Sequence, residues 1–361
     1  MTQDFVYGIV EGPGRSRTNI IGLDGRSRVR IVASGDLGAV VSDDNLQADL
    51  RDLPVPELLE HMVAYQRVVE QVMRGGVVLP VRFGTRVADA DEVRDLMEQN
   101  RTTLSEAFTR MRGSRELEVA ATWDIRQVLG EIGREPEVVA ARAAIEARGD
   151  PTPEDRVALG RLVASRVEAR RATTRRLALD TLEPLATSTA AHALVDERMI
   201  MNEAFLLPAT DIAAFEAQVR RLDKVFGGQI DFRIVGPLPP YTFCIVDPAR
   251  VTLGEQQAAR RTLKLSDAGD HDERTIRDAY RRAAADAGRA AAEARREHSP
   301  DADPVGRTGE DLKGAEELLL DLARTDAAGH RAGGEARDRW IARIRTTGSG
   351  EISSATFGGG G

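Results

Sequence analysis

The chain has 361 residues, enough for two or three domains with cores of ordinary size. Apolar residues make up 42%, charged residues 30% and aromatics only 4%, a globular rather than a disordered composition. The formal net charge of -8 disfavours non-specific attachment to nucleic acid, and the single cysteine, Cys244, excludes an internal disulfide and a cysteine-rich zinc cluster. No basic stretch leads into an apolar one at the start, and no window approaches membrane-spanning length. The expectation is a soluble cytoplasmic protein with no membrane or nucleic-acid partner.

Phe5 to Val10 reads as a first strand, closed by the turn cluster Glu11-Gly12-Pro13-Gly14. Arg28 to Ala33 and Leu37 to Ser42 form a hairpin across Ser34-Gly35-Asp36. After Pro54 and Pro56, the spacing of Leu58, Met62, Tyr65, Val69, Val72 and Met73 predicts a helix with one side on a core, stopped by Gly75-Gly76. Val77 to Thr85 is a strand in which Pro80 requires an edge, a bulge or a sheet end. One helix from about Asp91 turns Val93, Met97, Leu104, Phe108 and Met111 inward and ends at Gly113.

Glu116 to Thr122 alternates as a strand ending at Trp123-Asp124, and the charged stretch from Ile125 to about Leu185 is helical with a break at Gly149-Asp150-Pro151. Apolar bulk resumes from Ala193 to Leu207, and Asp211 to Phe226 is a helix. Asp231 to Val235 and Thr242 to Asp247 are strands on either side of Gly236-Pro237-Leu238-Pro239-Pro240-Tyr241, a stiff corner with three prolines. Short hairpins make the fold class α+β, and strand, helices, strand, helix and strands on an antiparallel sheet form a ferredoxin-like plan. The expected division is an N-terminal α+β domain over 1–115 and a ferredoxin-like domain with a long helical insertion over 116–247. A helical extension over 248–325 and a flexible tail over 326–361 complete it.

No phosphate-binding glycine loop is present, since Gly12-Pro13-Gly14 meets no helix, and His61, His192, His271, His298 and His330 lack metal-ligand spacing. Catalytic, cofactor-binding and metal residues are therefore expected to be absent. The basic run Arg170 to Arg176 is read as a solvated helix face; an unrecognised enzyme would instead need a pocket of convergent polar groups there. Arg82, Phe83, Pro239, Pro240 and Tyr241 are the candidate partner-binding residues, with a carboxylate on the neighbouring helix as the structural alternative for Arg82. His61 reads as a packing residue and Cys244 as buried and inert.

Five segments in order resemble the gas vesicle protein GvpL/GvpF family. They are Tyr7-Gly8-Ile9-Val10, Gly35 to Ser42, His61 in the first helix, Leu79-Pro80-Val81-Arg82-Phe83-Gly84-Thr85, and Val235 to Tyr241, so the resemblance spans Phe5 to Val246. It implies a cytoplasmic accessory protein of gas vesicle assembly, not known as an enzyme, with two α+β domains, the second a modified ferredoxin fold. The implied partners are the major shell protein and other vesicle accessory proteins; the alternative place is in the vesicle itself as a minor structural component. Arg261 to Leu265, Thr275 to Arg282, His298-Ser299-Pro300-Asp301 and the helix around Leu312 to Leu322 resemble a J-domain whose His-Pro-Asp tripeptide is interrupted by Ser299. That resemblance implies a chaperone partner for the extension.

Overall fold

The structure, a computed structural model, describes residues 3–12, 19–46, 50–149, 151–266, 271–296, 304–327 and 338–346. The chain opens with strands β1 (Gln3–Glu11), β2 (Arg30–Ser34) and β3 (Leu37–Asp44), helix α1 (Val55–Met73) and short strands β4 (Val78–Pro80) and β5 (Arg86–Val87). Helices α2 (Ala90–Gln99) and α3 (Arg101–Met111) follow. Next come β6 (Ser114–Trp123), α4 (Ile125–Ile132), α5 (Pro136–Glu146), α6 (Pro153–Leu182), β7 (Ser188–Ala191), β8 (Met199–Pro208), α7 (Ile212–Val225) and β9 (Ile230–Leu238). The last part holds β10 (Ile245–Val251), α8 (Leu253–Thr262), α9 (Glu273–Arg296), α10 (Pro304–Ala327) and β11 (Arg339–Arg345).

These elements divide into two compact units: Met1–Arg110 with Ile245–Arg345, and a second built on Met111–Cys244. The region after residue 247, expected as a separate extension, thus groups with the N-terminal residues. The reason is strand pairing: β11, inside the segment expected to be a flexible tail, pairs antiparallel with β10 from Ile245↔Arg345 to Val251↔Arg339. His298 to Asp301, the interrupted tripeptide of the J-domain resemblance, lies outside the described residues, as does the tail beyond Thr346.

In the first unit β1 is central in the order β2-β3-β1-β4, and its Asp4–Val10 stretch is buried throughout. Pro80 closes β4 at the end of that order, where a missing N–H breaks no central ladder. The strand expected over Val77–Thr85 stops there because a turn, with Thr85 N–H bonded to Arg82 O at 3.2 Å, precedes β5. Gly8 permits the approach of β4, since a Cβ at that position would sit 2.7 Å from Val78 Cγ2. Phe5, Tyr7, Tyr65 and Phe83 form one aromatic cluster, with Tyr7 and Tyr65 stacked at 5.9 Å. The Tyr65 hydroxyl donates to Tyr7 O and Val81 O, tying α1 to β1 and the end of β4.

The single helix expected from Asp91 to Met111 is two helices broken at Asn100. Asn100 Nδ2 donates to Leu96 O (2.9 Å) and Trp340 O (3.0 Å), and its Oδ1 accepts from Ala342 N (2.8 Å). Gln99 Oε1 accepts from Trp340 N at 2.7 Å. The break therefore satisfies the outer backbone edge of β11, which β10 holds from the other side.

The second unit has strand order β7-β8-β6-β9, all antiparallel. Numbered within the unit this is 2-3-1-4, the ferredoxin-like order expected. Leu117, Val119, Ala121, Met201, Phe205, Ile230 and Phe232 point from the sheet into a core closed by Val128, Ile132, Val167, Leu179 and Phe215 of the helices. Helix α6 begins with a capping box, Thr152 with Asp155, and Pro153 at its first position. The proline corner differs from expectation. Strand β9 continues through Gly236-Pro237-Leu238, with a cis Gly236–Pro237 peptide and a register shift between Glu116 and Glu118 of β6, and the strand after the corner, β10, pairs in a different sheet. Gly236 adopts φ +136°, and a Cβ there would lie 2.6 Å from Leu117 Cδ2.

Candidate functional site

Of the residues the sequence singled out for partner contact, Arg82 and Phe83 lie in the first unit and Pro239, Pro240 and Tyr241 in the second. Arg82 Nε pairs with Asp247 Oδ1 at 2.9 Å, so its carboxylate comes from β10 and not from a neighbouring helix. The other oxygen of Asp247 accepts Arg345 Nε at 2.6 Å, and the carboxylate is buried between the two guanidinium groups. Phe83 is half-buried, edge-on to Tyr65 at 5.4 Å. Pro239 and Pro240 are buried and Tyr241 is half-buried, whereas Gly236 and Pro237 of the same corner are exposed.

The arginine run is engaged within its own unit. Arg170 pairs with Glu131 (2.6 Å) and Glu135 (3.2 Å), Arg175 with Glu203 (2.6 Å) and Arg176 with Asp180 (2.7 Å). Arg171 pairs with Glu168, donates to Met199 O and Glu197 O, and covers the Trp123 ring at 5.6 Å. These bonds fasten α6 to α4 and β8, and the cations are not gathered around an anion pocket. Among the described residues no group of three or more His, Cys, Asp and Glu could hold a metal, and no helix is long and apolar enough to cross a membrane. His61 is half-buried and Cys244 is buried with a free thiol.

Two features escaped the reading of the sequence. The first is on α1. Its C-terminal half buries Tyr65, Val68, Val69 and Met73, whereas Val55, Leu59 and Val63 are 68%, 44% and 55% exposed. Four-residue spacing places these three in one row along the helix, about 12 Å long at 1.5 Å per residue. The signal was present in the sequence: α1 carries more apolar positions than one packed face can use.

The second feature is the sheet face of the second unit turned away from its helices. Alternation along β6 puts Glu116, Glu118, Ala120 and Thr122 on that face, opposite Leu117, Val119, Ala121 and Trp123. Glu116 is wholly buried; its two carboxyl oxygens accept Thr242 N (2.8 Å) and Thr242 Oγ1 (2.7 Å), and burial pushes its pKa up to about 8. Thr242 Oγ1 is also 3.3 Å from His192 Nε2, and burial holds that imidazole below its ordinary value. Glu118 is 9% exposed, its Oε2 is buried without a hydrogen-bond partner, and burial raises its pKa. It lines an open cleft of about 550 Å³ together with Thr122, Asn202, Asp231 and Arg233.

The fold and these surfaces define a two-unit α+β protein whose second unit is ferredoxin-like. Residues 4–245 match the family model described as gas vesicle synthesis protein GvpL/GvpF, and the chain belongs to that family. Gas vesicle protein F of Streptomyces sp. (strain CB03234) is 30% identical over 66% of this chain and 98% of its own length. Gas vesicle protein F of Nostoc sp. is 26% identical over 66% of this chain and 96% of its own. The crystal structure of GvpF from Anabaena sp. PCC7120 superposes with a TM-score of 0.59 at 26% identity, covering 67% of this chain and 98% of that one. GvpF from Microcystis aeruginosa, at 24% identity and a TM-score of 0.55, shares the fold.

Proposed function

We propose that this protein is an assembly helper of gas vesicles that binds the apolar shell protein, keeps it from aggregating and assists vesicle nucleation. Family membership supports the setting. The observation that carries the binding step is the exposed row Val55, Leu59 and Val63 on α1. A soluble carrier needs an apolar strip where its client is sticky, and each side chain of this kind returns on the order of 1 kcal/mol when its remaining exposed area is covered. A row about 12 Å long matches helix-on-apolar-surface docking, in which residues four apart act as anchors. The charged remainder of the surface keeps the complex in solution. Other vesicle accessory proteins are the second class of partner, and the place of action is the cytoplasm and the growing vesicle.

The test is capture of purified shell protein on the immobilised full chain, with shell aggregation followed by light scattering. Retention of the shell protein and delayed aggregation are expected, both lost in Leu59→Asp. No retention together with unchanged aggregation overturns the reading. Washed vesicles treated with urea distinguish a helper from a minor structural component: a helper is removed, a shell component remains.

A further inference from the structure

The orphaned carboxyl of Glu118 has no role in the helper reading and no structural partner to explain it. A buried carboxyl oxygen without a donor is among the least tolerated groups in a folded chain, and native structures keep few of them. Neighbouring buried carboxyls in this unit are all provided for: Glu116 by Thr242, Glu203 by Arg175. Glu118 alone of the three also opens on the cleft of about 550 Å³. A group desolvated by the fold, left without a donor and facing a cavity is arranged for a donor that arrives with a ligand.

The charges around the cleft indicate what that donor is. Arg198, on its rim, is already held by Asp196 through two bonds of 3.1 and 2.7 Å, and Arg233 has an interaction of its own. Asp231, exposed on β9 in the same cleft, adds a second carboxylate. The lining thus holds three carboxyl groups, Glu118, Asp124 and Asp231, against two guanidinium groups, of which Arg198 is held by Asp196, and the missing partner is a cation. Ala120 and Val235 line the same cleft, and an aliphatic stem can run over them while its charged head reaches a carboxylate. A long side chain carrying a terminal charge fits this order of surfaces, and the cleft lies open along the strands, where such a side chain can enter while still attached to its chain.

We propose that this face of the second unit binds a lysine or arginine side chain of a partner polypeptide, with Glu118 as the anchoring carboxylate and Asp231 as a second negative group. This site lies in the other unit from the α1 row and does not depend on the shell protein being the client.

The experiment uses the full chain and the capped peptides Gly-Gly-Arg-Gly-Gly and Gly-Gly-Lys-Gly-Gly, with the citrulline peptide as the uncharged control. Binding is read by calorimetry. A charged peptide is expected to bind at least about tenfold more tightly than the citrulline peptide, and Glu118→Gln is expected to remove that advantage. Asp231→Asn, at an exposed position, is expected to weaken the charged peptide about threefold and serves if Glu118→Gln does not fold. No binding of either charged peptide up to about 1 mM, or equal affinity for the citrulline peptide, overturns the proposal. So does undiminished binding in Glu118→Gln or, where that variant does not fold, in Asp231→Asn.

Discussion

The two units differ in how far they pair their buried carboxyl groups with arginine. In the first, Asp4 receives Arg30 on both oxygens at 2.6 Å, Asp44 pairs with Arg86, and Asp247 lies between Arg82 and Arg345. In the second, Glu203 has Arg175, but Glu116 is buried with a threonine and no cation, and Glu118 has neither. A carboxylate taken out of water with its arginines holds strands together; one taken out of water without them is pushed toward its protonated form and costs stability. The comparison separates carboxyls that serve the architecture from carboxyls that the architecture merely tolerates, and only the second kind asks for another explanation.

The largest effect should come from breaking the first kind. Asp247→Ala leaves two arginines facing each other and frees β11 from the end of β4. Because the Arg82 and Arg345 side chains are 62% and 50% exposed, water takes over part of the loss. The expected destabilisation is therefore about 2–3 kcal/mol, below the range for fully buried pairs, and is read as a lower urea midpoint. An unchanged midpoint would show that the double pair does not hold the C-terminal strand.

Glu116 gives the next effect, through pH. Its folded-state pKa of about 8 lies above the ordinary carboxyl value of 4.5, so the folded state binds its proton more tightly than the unfolded chain does. The corresponding stability is fully present below pH 4.5 and is lost as pH rises toward about 8, by up to about 1.4 kcal/mol per pH unit. Glu116→Gln keeps an acceptor for Thr242 N and removes the titration. Urea midpoints measured at pH 5.5 and 7.5 should therefore fall between the two values in the parent and change less in the variant. Identical pH dependence in both would place the titrating group elsewhere. A smaller effect of opposite sign is expected at Glu118: Glu118→Leu removes an orphaned polar atom and should raise stability by about 1 kcal/mol, visible as a higher Tm. A drop in Tm would mean that the carboxyl supports the sheet after all.

What the sequence made legible follows from how local each cause is. The β1 strand and the β2–β3 hairpin announce themselves through apolar β-formers and a tight polar turn, and the ferredoxin-like order could be anticipated from the succession of strand and helix patterns. The break at Asn100 could not, because its cause is the backbone of Trp340 and Ala342, some 240 positions along the chain. Strand β7 is Ser-Thr-Ala-Ala, too small and mixed to show an alternation, and it forms because β8 offers it a partner edge. That Asp247, and not a helix carboxylate, faces Arg82 is equally hidden in the sequence, because the placement of β10 beside β4 is a long-range event. Glu116 and Glu118 alternate with Leu117 and Val119 as in any half-exposed strand. Only the folded chain shows that the supposed outer face is buried at that end.

The smallest stability effect is expected on α1, and its smallness is the informative part. Leu59 is 44% exposed, so Leu59→Gln should leave stability within about 0.5 kcal/mol of the parent. Val68, one turn beyond the exposed row, is 1% exposed, and Val68→Ala should cost about 1–3 kcal/mol by leaving a cavity. If shell-protein capture falls with Leu59→Gln and survives Val68→Ala at a temperature where both are folded, binding and folding belong to different stretches of one helix. If instead capture follows stability across the two variants, the row contributes only to solubility, and the client must be held elsewhere. An apolar residue kept at the surface without a folding role is the same kind of observation as a carboxyl kept inside without a partner. In each case the fold forgoes stability at a position where a second molecule could restore it.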